Sequence, residues 1–75
     1  MKVQIELDEL SAKTLVRIAL ETSDTEVLEE LAKSNKGKVL IAVASNGWTK
    51  RKTLEKLSNH SNKEVKAAAL RTLNC

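Results

Sequence analysis

The stretch TEVLEELAKSNKGKVLIAVASNGWT, Thr25 to Thr49, decides the fold of this chain. Its first part sets Leu28 and Leu31 three residues apart, with Ala32 beside them and Glu26, Glu29 and Glu30 around them. That spacing puts one apolar stripe on a short amphipathic helix. The second part, Val39-Leu40-Ile41-Ala42-Val43-Ala44, continues the stripe on a second helix. Between them Ser34-Asn35-Lys36-Gly37 reads as a turn. Asn46-Gly47 reads as a helix stop, with Gly47 expected in the left-handed conformation that costs glycine nothing. The unit is a pair of short helices.

The unit recurs along the chain. A shift of 26 positions lays Leu28, Leu31, Val39 and Ala42 on Leu54, Leu57, Val65 and Ala68. A shift of 23 lays Val16, Ile18, Ala19 and Leu20 on Val39, Ile41, Ala42 and Val43, with Leu7 and Leu10 as the first leucine pair. Self-similarity at such a period is the signature of a repeat architecture. The pattern predicts one domain over 1–75, with repeats at about 7–23, 24–48 and 49–75, and helices over 9–22, 24–34, 38–46, 50–59 and 62–73. Ser23 with Glu26, and Ser61 with Glu64, have capping-box spacing, and Thr49 is placed to cap the helix after it. At the start, Val3, Ile5 and Leu7 alternate with Lys2, Gln4 and Glu6, the period of a half-buried strand. A lone strand has no partner in a helical chain. The tract either pairs with a second chain or forms a short extended leader to the first helix, and the repeat columns favour the leader.

Leu-x-x-Leu-Ala, then Val-x-x-Ala-Val-Ala-x-Asn, then a turn ending in Thr, resembles the leucine-rich repeat variant family, akin to HEAT and armadillo arrays. The likeness runs from about Leu7 to Leu73 and is closest over Thr25–Thr49. It implies an all-α fold, a short right-handed α-solenoid of about three helical pairs. Departures are visible: Gly47 and Lys50 stand where the family's turns carry proline, and the arginine after the valine survives as Arg17, becomes Lys66 and is lost at Leu40. The last copy, Ala67-Ala68-Ala69-Leu70, is built of smaller side chains. One member of the family holds an iron–sulfur cluster through added cysteines. With Cys75 alone, nothing of that transfers, and no cofactor or metal is expected.

Composition narrows the function. Seventy-five residues with one aromatic, Trp48, bury only about 60% of their unfolded surface. One cysteine excludes a disulfide scaffold, and His60 with Cys75 is too small a set for a zinc module. No run nears the roughly 18 apolar residues of a membrane span, and the first residues lack a signal peptide's apolar region, so no membrane association and a cytoplasmic location are expected. His60 sits in a polar turn without a partner for base or nucleophile chemistry and reads as a solvated residue. Two glycines make no phosphate loop. The expectation is not an enzyme.

Charge is divided along the chain. Residues 1–32 carry net −5 and residues 33–75 net +8, within a total of +3. Such asymmetry speaks of association rather than fold. The candidate partner-binding residues are Trp48, Lys50, Arg51 and Lys52, with Lys36 and Lys38 around Gly37 and Lys63 and Lys66 near the end. Exposed tryptophan is enriched among interface hot spots, and the cations would steer encounter. The expected function is therefore binding another protein, with head-to-tail contact between copies as a route to a homo-oligomer. Two alternatives stay open. The basic half could neutralise phosphates of a nucleic acid while Trp48 stacks on a base. Residues 1–34 also fit a ribbon-helix-helix DNA-binding dimer with Lys2, Gln4 and Glu6 in the major groove, although Glu6 and the acidic first half oppose it.

Overall fold

Five helices run through residues 12–74, the part of the chain that the computed structural model describes: α1 (Ala12–Glu21), α2 (Thr25–Leu31), α3 (Gly37–Ser45), α4 (Arg51–Leu57) and α5 (Lys63–Leu73). No strand occurs among the described residues, so the fold is all-α. The alternating tract Val3–Leu7, the leucine pair Leu7 and Leu10, and Cys75 lie outside them.

The helix starts correct the expected caps. At α2 the cap is Asp24, whose Oδ1 accepts from Glu26 N at 2.9 Å and Val27 N at 3.4 Å. At α5 Asn62 does the same with Glu64 N and Val65 N, again at 2.9 and 3.4 Å. Ser23 and Ser61, expected in that role, each lie one residue too early and stay exposed. The short planar Asp or Asn side chain next to the first turn reaches two orphan amides at once, which leaves the serine before it nothing to cap.

The middle helix needs three further corrections. Gly37 is the first residue of α3 and not the turn before it. A Cβ there would lie 2.9 Å from Asn62 Nδ2, so the bare backbone leaves room for the cap of α5. Gly47 does not adopt a positive φ; α3 ends instead at Asn46, in extended conformation at φ −87° and ψ 121°. Thr49 does not cap α4, which begins after Lys50 with no side-chain cap. Its hydroxyl turns back and donates to Val43 O at 2.7 Å, so it satisfies the end of α3. Side-chain chemistry thus does the work expected of a left-handed glycine.

Helix α3 lies at the centre, with Val39, Leu40, Ala42, Val43 and Ala44 all buried. It packs against α1 and against α5; α4 packs against α5, and α2 against α1 and α3. The largest fully buried side chains are Leu15, Leu28, Leu31, Val39, Val43 and Val65, each worth about 1.5–3 kcal/mol on burial. Hydroxyls and an amide tie the layers. Asn46 Nδ2 donates to Ala19 O at 2.7 Å, Thr72 Oγ1 donates to Ala44 O at 2.5 Å, and Thr53 Oγ1 donates to Glu29 Oε2.

These bonds allow a second alignment of α1 on α3, beside the expected shift of 23. Leu15 and Ala19 are the buried pair of α1, and Leu40 and Ala44 match them in α3, a shift of 25. The carbonyls of Ala19 and Ala44 both receive a side-chain donor from the next long helix or its end. The expected shift of 23 matches buried Ala19 to buried Ala42 but sets buried Leu15 on exposed Lys38; either shift sets exposed Arg17 on a buried residue, Leu40 or Ala42. Matching valine to valine does not bring out the shift of 25, because α3 is apolar over several adjoining faces while α1 is buried chiefly on one.

Candidate functional site

The turn from Asn46 to Lys50 joins α3 to α4 and carries the one tryptophan. Asn46 is only 6% exposed and uses its whole amide. Nδ2 donates to Ala19 O at 2.7 Å and to Thr22 O at 2.8 Å, while Oδ1 accepts from Trp48 N at 2.7 Å. Thr49 N donates to Asn46 O at 3.1 Å, and the Thr49 hydroxyl holds Val43 O as described above. The main chain on both sides of the ring is therefore bonded into the body of the protein. Asn46 and Thr49 take the buried positions of the turn. The ring stands 64% exposed.

Lys50, Arg51 and Lys52 follow directly and are all exposed. Arg51 Nε lies 3.2 Å from Glu55 Oε2, one turn on, an exposed pair worth a few tenths of a kcal/mol. Lys50 and Lys52 make no ion pair among the described residues. The remaining sequence-predicted residues do not join them. Lys36 is half-buried and precedes α3, and Lys38 is exposed in its first turn. The contact of Gly37 with Asn62 puts that end of α3 beside the start of α5, where Lys63 is exposed. Lys66 is exposed one turn further along α5. Since α3 has nine residues, about 13 Å separates its two ends. The cations thus form two groups at opposite ends of α3, with the tryptophan in one.

His60 is not the freely solvated residue expected. It is half-buried in the α4–α5 turn, where its Nδ1 accepts from Asn62 N at 3.0 Å. No three of His, Cys, Asp and Glu come together among the described residues as ligands of a metal would. No helix among them is long and apolar enough to cross a membrane.

The sequence marks Asn46, with Gly47, as a helix stop and Thr49 as a cap for the following helix, but not the bonds by which they fix this region, and it does not mark Thr72. One signal was available: Asn46 and Thr72 fall in the same column of the 26-residue shift, one polar residue at the end of each apolar run. Comparison with protein-family models, with curated proteins and with solved structures gives no significant match.

Proposed function

We propose that this chain is a non-catalytic helical-repeat module, a short α-solenoid of helical pairs, that binds another protein through Trp48 with Lys50, Arg51 and Lys52 around it. The observation that carries the reading is a tryptophan 64% exposed on a turn whose main chain is bonded on both sides. An aromatic side chain presented on a rigid frame loses little entropy when it enters a partner's pocket, which is what a hot spot needs. The repeat arrangement draws support from the central position of α3 between α1 and α5 and from the paired bonds to Ala19 O and Ala44 O. Stacked units of this kind leave extended faces for partners.

The test is a photo-crosslinker, p-benzoylphenylalanine, placed at position 48 and, as control, at exposed Asn59. The reading expects a discrete protein adduct at 48 that is absent at 59. No adduct, or the same adducts at both positions, would refute it.

A second reading rests on the same turn. Lys50 and Lys52 make no ion pair among the described residues, and an exposed indole two residues before Lys50 fits a single-stranded nucleic acid. Fluorescence anisotropy with single-stranded RNA and DNA at two salt concentrations separates the two, because phosphate-driven binding weakens steeply with salt. The ribbon-helix-helix reading depends on residues 2–7, outside the described part, and leaves unexplained why α3 packs against α1.

A further inference from the structure

We propose that the outward face of α5 is a docking seat for an acidic amphipathic helix of a partner protein. The proposal rests on the stacked arrangement put forward above and is independent of Trp48. Ala44, whose carbonyl takes the Thr72 hydroxyl of α5, is buried, and Leu40 is buried one turn before it on the same side of α3. In α1 the pair Leu15 and Ala19 is buried likewise, with Ala19 O taking the Asn46 amide. Helix α3 packs against α1 and α5 packs against α3, so in each case the donor to that carbonyl comes from the helix, or the helix end, packed alongside. The corresponding positions on α5 are Lys66 and Leu70, and nothing covers them: Lys66 is exposed and Leu70 is 44% exposed.

Lys63 and Ala67 extend the same stripe, since residues at i, i+3, i+4 and i+7 share one helix face. The occupant follows from shape and charge. Shape asks for a helix with small or aliphatic residues along one seam, because that is what fills the two inner copies of the seat. Charge asks for acids beside that seam. Lys66 replaces Leu40, Lys63 stands a turn before it, and Glu64, the one acid of α5, is off the stripe. Lysines desolvated against a neutral helix would cost free energy, whereas carboxylates across the seam offset that cost.

The probe is a helix-stapled peptide of residues 62–74 carrying Lys63→Glu, Lys66→Glu and Arg71→Glu. Its Val65, Ala68, Ala69 and Thr72 are the side chains that α5 turns inward in the chain itself. The peptide is titrated into the isotope-labelled full chain and followed by amide NMR shifts. The expected result is saturable shifts at Lys63, Lys66, Ala67 and Leu70. Lys66→Glu in the chain should weaken binding by about tenfold or more, as should restoring the basic residues to the peptide, the scale of a coupled charge pair. Trp48→Ala should leave the titration unchanged, so loss of the adduct at position 48 with these shifts intact would remove the anchor reading alone. Absence of saturable shifts at millimolar peptide, shifts centred on the Trp48 turn, or equal binding of the two peptides would overturn the proposal.

Discussion

Replacing Asn46 by alanine removes three hydrogen bonds at a buried point between α1 and α3. Ala19 O and Thr22 O stand at and just past the end of α1, where carbonyls have no helical partner, so the Asn46 amide acts as a cap supplied by another helix. At about 1 kcal/mol for each bond, the loss is about 3 kcal/mol. A chain of this length has a total stability of about 4–11 kcal/mol, so the variant gives up a quarter or more of it. The melting temperature should fall by about 15 °C. Urea unfolding followed by circular dichroism measures the change. The decisive companion is Asn46→Asp, which keeps the shape and the acceptor for Trp48 N but turns a carboxylate oxygen towards two carbonyls. It should be at least as damaging as alanine. If Asn46→Asp stays within about 0.5 kcal/mol of the parent, Asn46 is held by packing and the argument fails.

Asp24→Ala and Asn62→Ala should each cost about 1 kcal/mol, and Ser23→Ala and Ser61→Ala almost nothing, a contrast that thermal melts of the four variants would resolve. Thr72→Val removes the hydroxyl shared by Ala44 O and Ala68 O and should cost about 1 kcal/mol by urea titration; no change would mean that water replaces it. Leu28→Ala opens a fully buried site and should cost about 3 kcal/mol or more, read as a lowered urea midpoint by circular dichroism; a midpoint unchanged from the parent would contradict it. Trp48→Ala should alter stability by less than about 0.5 kcal/mol, since its ring is mostly in water, while removing partner binding.

The helices were legible because their apolar spacing is clean: every helix centre falls within its expected range, from Leu28 and Leu31 in α2 to Val65 and Ala68 in α5. Their ends were less so. A serine followed three residues later by glutamate looks like a cap whether or not an Asp or Asn intervenes, and here one intervenes both times. Gly47 looked like the helix stop because glycine tolerates what others do not, yet the stop is made by Asn46 and Thr49 through bonds that only the folded arrangement brings together. The second alignment of α1 on α3 was hidden for a related reason. Residue identity is blind to which of two apolar faces meets a neighbour. Trp48 was picked out by its residue type and the cations after it, whereas its presentation depends on contacts 24 to 27 residues away in the chain.

Hydrogen exchange at Trp48 tests at once whether the ring is exposed and whether its frame is fixed. The backbone amide, bonded to Asn46 Oδ1, should be protected, while the indole Nε1–H of the same residue exchanges at the rate of a free side chain. Fast exchange at both sites would mean a loose turn unsuited to anchoring, and a protected indole would mean a ring packed away from any partner.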